Sequence, residues 1–210
     1  MNKEKHLDQN SKSVLYNNNI IAVTNRHLCS RPFMEQLERI CKLHPHAIVL
    51  REKDMPEAEY LSLARDVTAL CKEYDVQCIL LEKYAAAPCQ HFMPDVISTL
   101  SHKNAAYYQQ FFKVIGTSVH SVEDAIKAKQ LGTTYMTAGH IFATDCKKGL
   151  PPRGLDFLKN VCDTVQIPVY AIGGINIASS ESDDSTLNVP RLKEVMECGA
   201  AGGCIMSGMI

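Results

Sequence analysis

The chain lacks long apolar runs, an excess of charge of either sign and any Cys-x-x-Cys pair. No stretch approaches the roughly 20 apolar residues that a transmembrane helix needs, and the polar N-terminal residues contain no apolar core of a signal peptide. A net charge of −1 argues against a general nucleic-acid or membrane-surface role, because such partners need a net basic face. We therefore expect a cytoplasmic protein with no nucleic-acid and no membrane partner.

The nine cysteines are many, but their number is odd and the chain has no export signal. We expect them to be reduced and mostly buried thiols. His44 and His46 are the other candidates for metal ligands. Pro45 lies between them and no nearby cysteine or carboxylate has a suitable spacing, so surface histidines are favoured. The sequence therefore predicts no metal site.

Near-continuous apolar segments alternate with segments of helical periodicity. Strands that are apolar on both faces are typical of a parallel sheet covered by helices, and no Gly-x-Gly-x-x-Gly motif follows the first strand as a dinucleotide fold requires. We therefore predict an α/β fold, a (β/α)₈ TIM barrel, as one domain over residues 19–210 after a polar leader at 1–18. The predicted strands are 20–24, 47–51, 77–81, 95–99, 112–118, 134–138, 167–174 and 202–208, and the predicted helices include 32–43, 57–74, 121–132, 154–165 and 189–199.

The barrel is expected to lack its last closing helix, because the eighth strand is followed directly by the end of the chain. The outer faces of strands eight and one are apolar, so an uncovered patch is expected there. A second subunit is the simplest cover, which predicts a homodimer or a larger homo-oligomer. The serine-rich, acidic segment 176–188 is interpreted as a mobile insertion.

Basic, titratable and glycine residues follow several of the predicted strands. The active site of such a barrel lies where the strands end, and bare backbone N–H groups of glycines there commonly bind a phosphate. The pattern predicts a small, phosphorylated, anionic ligand. The candidates are Arg51 and Lys53 after strand two, Ser118 and His120 after strand five, His140, Thr144 and Lys147 after strand six, Gly173 and Gly174 after strand seven, and Ser207 and Gly208 after strand eight.

Each of these signals has a purely structural alternative. The glycine pair could serve a turn that needs positive φ, and Lys147 could be a surface lysine. His120 more often caps or packs at a helix start than acts on a substrate. Cys146 has no base at the spacing a nucleophile needs, so it is interpreted as a residue that lines the pocket.

Five motifs in order resemble the thiamine phosphate synthase/TenI family over nearly the whole chain. They read "VLREKD", "GTSVHSVEDAIKAKQLG", "GHIFATDCKKGLPPRGLDFL", "IPVYAIGGI" and "CGAAGGCIMSG". The resemblance implies a (β/α)₈ enzyme of thiamin biosynthesis, and the family has two branches with different chemistry.

The synthase branch joins a pyrimidine diphosphate to a thiazole phosphate, which implies Mg²⁺ held by carboxylates. In this chain Leu81 and Ala85–Ala87 stand where that branch has an amide and a carboxylate, Val49 stands where it has glutamine, and only Glu82 remains. The TenI branch isomerises thiazole carboxylate phosphate to its aromatic form without a metal. It matches His140, where the synthases usually have proline.

The resemblance therefore favours a thiazole tautomerase that needs no cofactor. Thiamine phosphate synthase with Mg²⁺ is the runner-up, and a non-catalytic binder or regulator of thiamin intermediates is the third alternative. Moving a proton between carbons suits a histidine, so His140 is the expected catalytic residue. The remaining implied roles are phosphate binding by Gly174, Ser207 and Gly208, carboxylate attraction by Lys147, Arg51 and Lys53, and lining of the pocket by Ser118 and Thr144.

Overall fold

Eight parallel strands form a closed barrel in the order in which they follow one another along the chain, and the last strand pairs with the first. The computed structural model describes residues 18–81, 91–93, 110, 112–178 and 187–210. The predicted (β/α)₈ fold is confirmed. The strands are β1 (Ile20–Val23), β2 (Ala47–Leu50), β3 (Gln77–Leu81), β4 (His91–Met93), β5 (Val114–Val119), β6 (Tyr135–Gly139), β7 (Val169–Ile172) and β8 (Gly202–Ile205).

Helices follow five of the strands in the described part of the chain, each within a residue or two of its predicted bounds. Ser121 begins one of them, and its hydroxyl accepts a hydrogen bond from the Asp124 amide at 3.0 Å. Gly132 follows the end of that helix with a φ of 90°, a conformation that favours glycine. The helices are α1 (Phe33–Lys42), α2 (Glu57–Glu73), α3 (Val122–Gln130), α4 (Gly154–Val165) and α5 (Pro190–Glu197).

The apolar residues of the strands pack into two cores, one between the strands and the helices and one inside the barrel. In β1, Ile20 and Ala22 pack outward against the helices, whereas Ile21 and Val23 pack inside the barrel with Val49. All four residues of β1 are buried. Successive side chains of a strand point to opposite faces, so a strand between two cores must be apolar throughout.

The fourth strand and several strand ends differ from the prediction. β4 lies at residues 91–93, in register with Ile79 of β3 and Val114 of β5, and the predicted segment 95–99 lies outside the described residues. The position of this strand is determined by its pairing with two neighbouring strands, which the β-propensity of the local sequence does not reveal. β7 ends at Ile172 because Gly173 and Gly174 have positive φ, which an extended strand does not allow.

The prediction of an uncovered apolar patch on the outer faces of strands eight and one is wrong. Residues 206–210 contain no helix, but Ile20, Ala22 and Ile205 are all 0% exposed within the single chain. Met209 is also buried, and its carbonyl accepts a hydrogen bond from the Gln36 side chain of α1. The homo-oligomer was expected because a second subunit would cover that patch, and this reason no longer applies. The homo-oligomer stays a prediction.

Two other predicted segments lie largely outside the described residues: the polar leader at 1–18 and the insertion at 176–188. None of the helices in the described ranges is long and apolar enough to cross a membrane.

Candidate active site

A cavity of about 450 Å³ opens at the ends of the strands. It is lined by residues from the segments that follow β1, β2, β5, β6, β7 and β8, so these six strands deliver their next residues to one point. Of the predicted ligand-binding and catalytic residues, only Gly208 does not line it. Those that do are Arg51, Lys53, Ser118, His140, Thr144, Lys147, Gly174 and Ser207.

The segments after β1 and β2 are tied together by the carboxylate of Glu52. This side chain is 1% exposed. It accepts a hydrogen bond from the Thr24 hydroxyl at 2.6 Å and another from the backbone N–H of Arg26 at 3.1 Å. The Thr24 hydroxyl oxygen in turn accepts the backbone N–H of Arg51 at 2.8 Å. The chain of contacts holds the backbone of Arg51 at the wall of the cavity.

A second carboxylate, Asp54, lies on the surface of the same region. The guanidinium of Arg26 donates two hydrogen bonds to it, both at 2.8 Å, and also contacts Glu52. His27 is a further partner at 2.8 Å. The hydrogen bonds from Arg26 and then from His27 hold the pKa of Asp54 well below its ordinary value.

The segment that carries His140 rests on the segment that follows β7. The backbone N–H groups of Ile141 and Phe142 donate to the carbonyls of Ile172 and Gly173, at 2.9 and 3.1 Å. A Cβ on Gly173 would lie 2.3 Å from the Cβ of His140, so only glycine permits this approach. The Gly139–His140 peptide bond is cis. His140 is half-buried at the cavity wall, with Nε2 3.4 Å from the carbonyl of Leu150.

Residues 144–147 form the cationic part of the wall after β6. A short 3₁₀ helix, Asp145–Lys147, begins at Thr144, whose hydroxyl accepts the N–H of Cys146 at 3.4 Å. Cys146 and Lys147 are exposed and both line the cavity. Lys148 does not line it, and its ammonium lies 3.8 Å from the carboxylate of Asp145.

Gly174, in the segment after β7, also lines the cavity and has a φ of 69°. A Cβ there would lie 2.5 Å from the carbonyl oxygen of Ala143, so the backbone of the two segments is in direct contact. Arg191 of α5 donates to the carbonyl of Gly174, and its guanidinium lies 4.4 Å from the ring centre of Phe142. Arg191 therefore braces the glycine turn from behind, while the cavity side of the turn presents backbone.

Several further residues that the sequence patterns did not predict line the same cavity. The structure adds Asn25, Asn176 and Met206 to the wall, and each follows a strand end by one to four residues. It also places there the candidate His120, for which a structural role was the alternative. His120 is placed there by a hydrogen bond to the carbonyl of Gly139 at 2.7 Å. Ser118 pairs with Thr137, hydroxyl to hydroxyl, at 2.9 Å. Proximity to a strand end was the available signal, but it does not separate residues that line a cavity from residues that cap a helix.

The described residues do not supply a site for Mg²⁺. They contain no group of three or more His, Cys, Asp or Glu side chains that could hold a metal ion. The carboxylates of Glu52 and Asp54, which adjoin the lining residues Arg51 and Lys53, bind Arg26. Residues 82–90 and 94–109, which contain the positions that the resemblance associates with the metal, lie outside the described residues.

Fold and site together define a (β/α)₈ barrel whose mouth combines cationic side chains, a glycine turn and two histidines. A family model described as thiamine monophosphate synthase (TMP-TENI) matches residues 20–209. The chain belongs to this family, which confirms the resemblance seen in its motifs.

Known relatives carry the name of the synthase. The thiamine-phosphate synthase of Fusobacterium nucleatum is 30% identical over 196 residues, which cover 91% of this chain and 88% of that protein. Thiamine-phosphate synthase 2 of Streptococcus pneumoniae is 28% identical over 194 residues, which cover 90% and 85%. The solved thiamine phosphate pyrophosphorylase of Pyrococcus furiosus has 25% identity and a TM-score of 0.71, with 92% of this chain and 88% of that chain covered.

Proposed function

We propose that the cavity binds a thiazole phosphate and that the protein is an enzyme of thiamine biosynthesis. The observation that carries the proposal is the meeting of the Gly174 turn with the cations of Arg51, Lys53 and Lys147 around one cavity. Backbone N–H groups and basic side chains are the groups that bind a phosphate. Both family reactions use a thiazole phosphate, so this part of the proposal does not depend on which reaction is catalysed.

The names of the relatives favour thiamine phosphate synthase, the transferase. In that reaction a pyrimidine diphosphate and the thiazole phosphate are joined and diphosphate leaves. Mg²⁺ would supply the positive charge that stabilises the leaving diphosphate. Glu82 is the carboxylate in the sequence that stands nearest the family's metal positions. Comparison with relatives therefore supports the transferase better than the isomerase.

A specific observation keeps the isomerase as the second candidate. His140 lies in the wall of the cavity that also contains the Gly174 turn, so an imidazole is within the same pocket as the proposed phosphate site. Isomerisation of the exocyclic alkene to the aromatic thiazole moves a proton from one carbon to another. An imidazole accepts and returns protons near neutral pH, which is what such a reaction requires.

One pair of assays distinguishes the two reactions. The purified protein is given pyrimidine diphosphate, thiazole phosphate and Mg²⁺, and thiamine phosphate is measured with and without a chelator. Steady turnover that the chelator abolishes establishes the transferase. In the second assay the exocyclic-alkene form of thiazole carboxylate phosphate is supplied without metal, and its conversion is compared with the uncatalysed rate. If the protein binds thiazole phosphate but shows no turnover in either assay, it is a non-catalytic binder.

A further inference from the structure

His120 lies between the main cavity and a smaller one. The side chamber, as we call this second cavity of about 220 Å³, is lined by His120, Gly139, His140, Lys147, Leu150, Pro151 and Arg153. The first four of these residues also line the main cavity. The imidazole of His120 is exposed, so it is in contact with whatever fills this space.

The hydrogen bond at Nδ1 defines which tautomer His120 adopts. Nδ1 lies 2.7 Å from the carbonyl oxygen of Gly139, and a carbonyl oxygen only accepts hydrogen bonds, so Nδ1 carries the proton and donates it. The same oxygen accepts the Nε–H of Arg153 at 3.1 Å, and a guanidinium only donates. In the neutral ring Nε2 therefore holds a lone pair, and it is the nitrogen that can accept a proton.

Strand register places His120 next to the residue that precedes His140. Val119 of β5 pairs with Ala138 of β6, so His120 lies beside Gly139, the residue before His140. The two imidazoles come from neighbouring strands and line the same cavity. Nε2 of His140 lies 3.4 Å from the carbonyl oxygen of Leu150. Nδ1 is therefore the other nitrogen of that ring through which a proton can be given or taken.

We propose that His120, through Nε2, accepts the proton that the isomerisation removes, and that His140 returns a proton to the product. The proposal rests on the isomerase candidate. The C–H bond at the ring carbon breaks, its proton goes to Nε2 of His120, and its electron pair moves through the ring. The exocyclic alkene carbon takes a proton from protonated His140 and forms a new C–H bond. Exchange of both rings with solvent restores their starting protonation.

The variant His120→Asn separates this role from a structural one. The side-chain amide of asparagine places an N–H near the position of Nδ1 and still donates to Gly139, but it has no equivalent of Nε2. We expect kcat to fall about 10²–10⁴-fold, the contribution of general acid–base catalysis, with the affinity for thiazole phosphate measured by calorimetry unchanged. His44→Asn is the matched control, because His44 is exposed and lies before β2, at the opposite end of the barrel.

Single turnover in D₂O tests the division of labour between the two rings. A separate donor and acceptor put solvent deuterium on the exocyclic carbon of every product molecule. Retention of the substrate's own hydrogen above the uncatalysed background shows one group carrying the same proton, and overturns the proposal. A ¹⁵N–¹H correlation spectrum of the wild-type imidazoles should show His120 with its proton on Nδ1. A proton on Nε2 overturns the proposal without any activity measurement.

The outcomes separate the two levels of inference. A wild-type protein that does not isomerise the substrate removes the isomerase candidate, and the role of His120 with it. A wild-type protein that does, together with a His120→Asn variant within about tenfold of its rate, overturns the role of His120 alone. Circular dichroism of the variant shows whether a lost rate reflects lost folding.

Discussion

Two edges of the cavity are built in different ways. The β1–β2 edge, residues 24–26 and 51–54, is held by side-chain charge: Glu52 is 1% exposed and binds Thr24 and Arg26. The β6–β7 edge, residues 140–143 and 173–174, is held by backbone hydrogen bonds and by the absence of a Cβ at its two glycines.

The difference indicates which edge contributes to stability and which to the reaction. At the β1–β2 edge the carboxylates of Glu52 and Asp54 bind a cation of the protein itself, so their interactions stabilise the loop. At the β6–β7 edge close backbone packing positions His140 and leaves its ring at the cavity. We therefore expect substitutions of the two carboxylates at the first edge to change stability, and substitutions at the second edge to change the reaction.

The largest effect is expected for His140→Asn. If the isomerase candidate holds, the rate should fall about 10²–10⁴-fold, because the acid–base group is lost, and the affinity for thiazole phosphate should hardly change. Rates are measured against the uncatalysed background. His27→Asn, which changes a partner of Asp54 beside the β1–β2 edge, is the control and should keep the wild-type rate. A loss of less than about tenfold for His140→Asn would move the role to another group.

Gly173→Ala should affect both rate and stability. The added Cβ would lie 2.3 Å from the Cβ of His140, and the residue has a φ of 98°. We expect a loss of about 1–3 kcal/mol in the free energy of unfolding from strain, and a lower rate because His140 is displaced. Gly149→Ala is the control: its φ is 80° but no atom lies within 4 Å of the new Cβ. It should lose about 1 kcal/mol and keep its rate. Equal rates for the two variants would contradict the argument.

Glu52→Gln tests the β1–β2 edge. The –NH₂ group that replaces one carboxylate oxygen donates hydrogen bonds and cannot accept those of Arg26, so urea denaturation should show a loss of about 1–3 kcal/mol. Asp54→Asn removes an exposed ion pair and should cost less, because solvent screens it. A larger loss for the exposed pair would reverse the assignment of stability to the buried carboxylate.

Lys147→Gln should weaken the binding of thiazole phosphate by about fivefold, the change that ~1 kcal/mol makes. Lys147 lines the cavity, whereas its neighbour Lys148 does not. Lys148→Gln is therefore the matched control, and calorimetry should give it the wild-type affinity. Equal weakening by both variants would mean that the loop acts only through its total charge.

The smallest effect is a pH dependence at Asp54. Arg26 and His27 lower its pKa below the ordinary value of 3.8 in the folded state, so its contribution to stability is complete above that pH. The contribution is lost as the pH falls further and the carboxyl becomes protonated. The difference in stability between wild type and Asp54→Asn should therefore shrink below pH ~3.8 in denaturation curves measured at several pH values. A constant difference would show that the ion pair does not stabilise the fold.

Much of the candidate site followed from the order of strands and loops. Parallel strands of a barrel deliver the residues after them to one end, so Arg51, Lys147 and Gly174 were predicted to meet. His120 was a candidate by its place after strand five, but a role as a cap or a packing residue was favoured. Its contact with Gly139 joins residues 19 positions apart, and nothing in the local sequence reports it.

The sequence by itself determined the barrel and its family, because apolar strands of the β1 type and the five family motifs are local patterns. The tertiary structure decided the position of β4, the burial of the outer faces of β1 and β8, the pairing of Glu52 with Arg26, and the tautomer of His120. Periodicity reports which face of an element is buried. The partner on that face, and the direction of each hydrogen bond to it, depend on strand register and on the approach of segments distant in sequence.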